Sequence, residues 1–217
     1  MKKSILILIA AVGLFSCKQA NKSSPEAVET ETPNSVRKYE YTDSKGKRLI
    51  IQNGGPKGGQ KYAAPNGEEY VYAVFWTRIS NETDTPLELM LDFPVVVNEF
   101  PTSPRRYFKL LIPSDTLTLE KENLFNYGLN LESFLNDNLD KPSSLKRIIN
   151  SKESSAFYIV TLFNQGVNGT LRTRLSLKGQ NLFYKISAYK NIPGHPLMSE
   201  KEMNVGSINL KNLTLQK

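Results

Sequence analysis

The chain has 217 residues, 39% hydrophobic, 23% charged and 10% aromatic, with a formal net charge of +7. This is enough apolar material for one core, and it excludes a disordered, collagen-like or low-complexity chain. One Cys and one His exclude a disulfide framework, an iron–sulfur cluster and any multi-His or Cys-rich metal site.

The first residues read MKKSILILIAAVGLFSC. Lys2 and Lys3 form a positive region, Ile5 to Leu14 an apolar one too short to span a bilayer, and Ser16 is small. Leu14-Phe15-Ser16-Cys17 resembles the bacterial lipobox, with Phe15 departing from the small or β-branched residue usual there. The resemblance implies that residues 1–16 are a lipoprotein signal peptide and that Cys17 carries lipid through its thiolate. Removing Lys2 and Lys3 with the signal leaves +5. Lys18 stands where Asp would mark inner-membrane retention, and KQANKSS has no acidic export cluster. By resemblance to lipoprotein sorting, the expected address is the outer membrane of a Bacteroidota-like bacterium, facing the periplasm.

Residues 17–38 read as the lipidated Cys followed by a flexible tether, rich in Ser, Thr, Glu and Pro and without aromatics before Tyr39. From Tyr39 to the end the dominant period is two. Strands are expected at 47–52, 69–80, 87–93, 107–112, 116–120, 156–163, 170–178, 182–190 and 206–215, with Gly and Pro turns between them. The cleanest is TLRTRLSLK, with Leu171, Thr173, Leu175 and Leu177 on one face. Within 130–150, helical spacing at Leu131, Phe134 and Leu135, then at Leu145, Ile148 and Ile149, predicts a helical insertion. Asn130 and Ser143 are its N-caps, and Pro142 separates the two helices. The expected fold for 39–217 is mainly β: an antiparallel sandwich with a short helical insertion. VFWTRISNETDTPLEL resembles a strand–turn–strand of immunoglobulin-like modules in bacterial lipoproteins, a likeness that assigns no functional residue.

The candidate sites are few. Gly54, Gly55, Gly58 and Gly59 follow a strand, but no G-K-[ST] or helix comes next, so the stretch reads as an inter-strand loop. His195, in Ile192-Pro193-Gly194-His195-Pro196, reads as a surface-loop residue without a nucleophile. Asp137 and Asp140 lack the calcium-loop pattern, so neither a metal nor another cofactor is expected. In EYVYAVFWTRI, Tyr70, Tyr72 and Trp76 share one face. They read either as a ligand-facing aromatic stripe or as one side of a central strand covered on both faces, and the frequency of aromatics in strands favours the second. Arg105, Arg106 and Tyr107 could face a ligand. With Arg172, Arg174, Lys178 and Lys185, the two arginines could form an anion-facing patch. An exported protein rarely meets nucleic acid, so glycans and lipid headgroups are the reachable anions. Asp115-Thr116-Leu117 resembles a bacterial O-glycosylation site, with Thr116 as acceptor.

The expected function is therefore non-enzymatic: a membrane-anchored envelope lipoprotein acting as a binding or assembly module for a protein or glycan partner. Two alternatives stand beside it. One is a glycan hydrolase using the dispersed acids Asp92, Glu99, Asp115, Glu120 or Glu122; the other is a purely structural spacer.

Overall fold

A computed structural model describes residues 28–31, 36–95, 97–100, 105–190, 193–194, 196–210 and 215–216. The expectations for the signal peptide, Cys17 and His195 lie outside these residues. The described part begins within the expected tether. Strand β1 (Val28–Glu31) pairs antiparallel with β2 (Arg37–Asp43). Glu29 holds it there, with its carboxylate 3.0 Å from Arg37 and 3.6 Å from Arg174.

The chain continues through β3 (Arg48–Asn53), β4 (Lys57–Ala63), β5 (Glu69–Asn81), β6 (Leu87–Phe93), β7 (Asn98–Glu99) and β8 (Tyr107–Leu111). It then follows an irregular excursion to helix α1 (Leu131–Asn138). The rest is β9 (Ser143–Ile149), β10 (Ser154–Phe163), β11 (Thr170–Lys178), β12 (Asn181–Tyr189), β13 (Leu197–Asn209) and β14 (Leu215–Gln216). Two antiparallel sheets result. One runs β1-β2-β3-β5-β10-β8-β7, with β14 on β2 and β4 on β5; the other runs β11-β12-β13-β6-β9. They pack face to face as the expected sandwich. The core between them takes Leu49, Ile51, Phe157 and Ile159 from the first sheet and Leu89, Leu175, Tyr184 and Ile186 from the second. Truncating Phe157, fully buried there, to Ala would cost about 3–5 kcal/mol.

Asn81 joins the two layers where β5 turns into β6 and β9 into β10. Its Nδ2 donates to the carbonyls of Thr85 (2.8 Å), Ile149 (3.0 Å) and Asn150 (3.1 Å), and its Oδ1 accepts from the Thr83 hydroxyl (2.6 Å) and N–H (3.0 Å). A buried amide so completely engaged fixes both corners at once.

Four expectations are corrected. The second expected helix, with Ser143 as its cap, is strand β9, registered on β6 from Leu87↔Ile149 to Phe93↔Ser143. Its apolar positions fit both periods, and the ladder decides at the expense of Ile148, which is left 63% exposed. Residues 116–120 form no strand: Leu117 alone turns inward, before a 3-10 turn at Glu120–Asn123. The last long strand begins at Leu197 rather than 206, because two bulges in its pairing with β12 break the alternation. The Gly-rich segment contains β4, which follows β3 along the same side of β5 with a bulge between Gly58 and Gln60.

Candidate binding cleft

Strands β5 and β10 are covered on both faces. Away from the sandwich core, Tyr70, Tyr72, Val74 and Trp76 of β5 and Tyr158, Val160 and Leu162 of β10 form a second core with Leu117, Tyr127, Leu131, Leu135 and Leu139. The excursion and α1 therefore lie over the outer face of the first sheet. Asn130 caps α1, its Oδ1 accepting from Ser133 N–H at 3.4 Å. Tyr62 on β4 ties the helix down, its hydroxyl donating to Asn136 at 2.8 Å.

The stripe Tyr70, Tyr72 and Trp76 is thus 93% buried at each residue, and its members meet different surroundings. The Tyr72 hydroxyl donates to Gln60 (2.9 Å) and accepts from Asn126 (2.9 Å). Trp76 lies against Gly54, where an added Cβ would sit 2.1 Å from the indole nitrogen. Only glycine allows that approach. Arg78 stands above the indole, 5.6 Å from its centroid and 3.8 Å from the Glu122 carboxylate.

Tyr70 opens instead into a cleft of about 390 Å³ beyond the edge of the insertion, and the same cleft is lined by Tyr107. Strand β10 lies between the two: Leu162 pairs with Tyr72 on one side and Lys109 on the other. Leu162 backs the cleft, Val97 flanks it, and Glu68, Glu69, Lys109 and Asn164 supply its polar groups.

Three of these groups, Glu68, Lys109 and Asn164, are fixed by their partners, while Glu69 stays exposed. Glu68 accepts from the Tyr70 hydroxyl at 2.6 Å and from Asn66 Nδ2 at 3.0 Å, and the tyrosine bond foremost holds its carboxyl below the ordinary range. Burial, reinforced by Glu68, pushes the Tyr70 phenol well above its ordinary value, so it stays a donor. Lys109 bridges to Asp140 at 2.9 Å, with its ammonium 5.9 Å from the Tyr70 ring centre. Asn164 orients Tyr107. Its Oδ1 accepts from the Tyr107 N–H (2.8 Å), its own N–H donates to the Tyr107 carbonyl (3.1 Å), and its Nδ2 donates to the Arg105 carbonyl (2.8 Å). The Tyr107 ring is left 38% exposed at the rim. An aromatic rim, an apolar back and a few immobilised polar groups suit a small neutral or weakly polar ligand.

Of the expected ligand-facing residues, the structure brings Tyr70 and Tyr107 together. Arg105 and Arg106 lead into β8 beside them, Arg105 being exposed with φ 70°. Tyr72 and Trp76 line separate depressions. Lys109 and Asn164 were not singled out in the sequence; Lys109 had a signal, since it alternates with Tyr107 on β8.

Of the basic residues expected in a patch on the second sheet, Lys178, Lys185 and Arg172 find partners within that sheet, while Arg174 reaches Glu29 of β1. Lys185 bonds Glu200 at 2.9 Å, Lys178 reaches Glu202 at 2.5 Å, and Arg172 stands 6.0 Å from the Tyr189 ring centre. Asp92 lies on β6, Glu99 on β7, and Asp115, Glu120 and Glu122 on the excursion. None of these five carboxylates lines the cleft. Among the described residues, no three His, Cys, Asp or Glu side chains are placed to hold a metal ion. Thr116 is exposed on irregular backbone between exposed Asp115 and buried Leu117. In comparisons with protein-family models, curated proteins and solved structures, nothing matches this chain.

Proposed function

We propose that the protein is a lipid-anchored component of a bacterial outer membrane, facing the periplasm, whose sandwich is a non-enzymatic module that binds an envelope glycan in the Tyr70–Tyr107 cleft. The observation that carries the ligand reading is the convergence of these two rings with Lys109 and Asn164 in one concavity. Sugar rings present apolar C–H faces and equatorial hydroxyls, which an exposed tyrosine face flanked by fixed polar groups can meet. The address rests on the lipobox-like Leu14-Phe15-Ser16-Cys17 and on Lys18. The acids expected for a hydrolase lie apart from the cleft, and of the two carboxylates that line it Glu68 is held ionised by the Tyr70 bond, which favours the binding module.

The test is titration of the purified protein with an array of bacterial envelope glycans, comparing the native chain with Tyr107→Ala and Tyr107→Phe. The account expects a captured glycan whose affinity falls at least about tenfold in Tyr107→Ala and persists in Tyr107→Phe, a difference of about 1.4 kcal/mol. Equal binding by all three would place the site elsewhere, and capture of none of the array would remove the glycan reading.

A further inference from the structure

We propose that Leu119, Leu124 and Phe125 form a surface that rests in the headgroup–acyl boundary of the membrane to which the protein is anchored. The proposal rests on the lipid anchor of the preceding section. The three side chains are 72%, 51% and 65% exposed and fall within seven residues of one another on the excursion. Loops ordinarily turn polar side chains to water, and this one shows three large apolar side chains there beside its polar ones.

Several of its polar contacts tie it to the sheet beneath. The Lys57 ammonium donates to the carbonyls of Glu122 and, at 2.8 Å, Leu124, and lies 4.2 Å from the Tyr127 ring centre. The Tyr127 hydroxyl donates to the Gly55 carbonyl at 2.8 Å, and Asn126 Nδ2 donates to Tyr72 at 2.9 Å. Asn126 and Tyr127 both adopt left-handed backbone, φ 47° and 58°, which costs of order 1–3 kcal/mol each for non-glycine residues. The loop is therefore held in a shape that displays its apolar side chains.

Two observations select a lipid surface as the occupant. The first is area. At these exposures, the three side chains offer roughly 350 Å², taking about 200 Å² for each whole side chain, against about 800 Å² per partner in a stable protein interface. The second is reach. Eleven residue steps separate Cys17 from Val28, about 38 Å at full extension. A folded domain of this size measures roughly 40 Å across. β1 lies three strand spacings from β5, about 14 Å, and the excursion packs on the outer face of β5. A chain so short holds the domain against the bilayer, where a few apolar side chains suffice for contact.

Because Cys17 is the chain's single cysteine, the lipidated protein offers no thiol of its own, and introduced cysteines can be labelled uniquely. Leu119→Cys, Phe125→Cys and, as control on the far sheet, exposed Lys178→Cys are each coupled to an environment-sensitive fluorophore. The full lipidated chains are placed in phosphatidylethanolamine–phosphatidylglycerol vesicles. Emission from positions 119 and 125 is expected to move to shorter wavelength and to be quenched by nitroxide-bearing lipids, while that from 178 does neither. Lipidated protein whose three labels all report water overturns the docking surface alone. Labels shielded in native envelopes but not in vesicles also overturn it, in favour of a protein occupant. An intact mass showing a free Cys17 thiol overturns the anchor, and the docking surface with it.

Discussion

The carboxamide of Asn53 clasps the backbone of Leu175, 122 positions further along the chain. Nδ2 donates to the Leu175 carbonyl at 3.1 Å, and Oδ1 accepts its N–H at 2.8 Å. β11 is the free edge of the five-stranded sheet, so these backbone groups have no neighbouring strand. Tyr41 completes the cover, its hydroxyl accepting the Leu177 N–H at 2.7 Å. Side chains of the facing sheet thus occupy three backbone groups of this edge, which weakens it as a template for another strand. Asn53→Ala leaves both Leu175 groups unpaired and is expected to cost about 3 kcal/mol. The check is a lowered urea midpoint at unchanged slope. A change below about 0.5 kcal/mol would show that water replaces the amide.

Gly54 and Trp76 give a second prediction. The indole lies where a Gly54 side chain would begin, and the Gly54 N–H donates to the Trp76 carbonyl at 2.9 Å. Gly54→Ala must move one of the two, and a loss of about 2 kcal/mol or more is expected. Trp76 is the chain's single tryptophan, so its fluorescence reads the displacement directly as a shift toward longer wavelength. Unchanged emission would contradict the packing.

Tyr158 predicts a substitution that stabilises. Its hydroxyl is fully buried with no hydrogen-bond partner among the described residues. Tyr158→Phe removes an unsatisfied polar group at nearly constant shape and is expected to raise stability by up to about 1 kcal/mol. Destabilisation would mean that the hydroxyl has a partner, such as a bound water.

The pH dependence has two arms. The Lys185 ammonium, donating at 2.9 Å, holds the Glu200 carboxyl below its ordinary range. A lowered carboxylate contributes stability above its unfolded pKa, near 4.3, and loses it as pH falls through the folded value. Both groups are partly exposed, so the contribution stays below about 1 kcal/mol. Burial pushes the phenols of Tyr127 and Tyr158 up to about 12. A raised phenol contributes stability below its unfolded pKa, near 10, and loses it as pH rises toward 12. Unfolding midpoints from pH 3 to 11.5 should fall at both ends, less steeply below pH 4.3 in Glu200→Gln and above pH 10 in Tyr158→Phe. Identical profiles for variants and native chain would refute these assignments.

Much of the sandwich was legible because alternation and turn chemistry are local. Leu175 and Leu177 in TLRTRLSLK, and the Asn81–Thr85 corner after the aromatic strand, could be read directly. β4 could not, since Gly58 and Gly59 carry no side chain to alternate. In β9, Leu145, Ile148 and Ile149 satisfy a helical period as well as they serve a ladder, and only pairing with β6 separates the two. The cleft was half legible. Tyr70 and Tyr107 could each be marked as exceptional, but their meeting depends on β10 entering between β5 and β8. That strand order is a long-range fact no local pattern carries.

The most direct test of the account is the intact mass and membrane partition of the full protein made in its own cells. The account predicts a chain beginning at Cys17 with diacylglycerol on its sulfur, recovered with the outer membrane and released into solution by Cys17→Ser. A chain retaining residues 1–16, or one with a free thiol recovered in the soluble fraction, would contradict it.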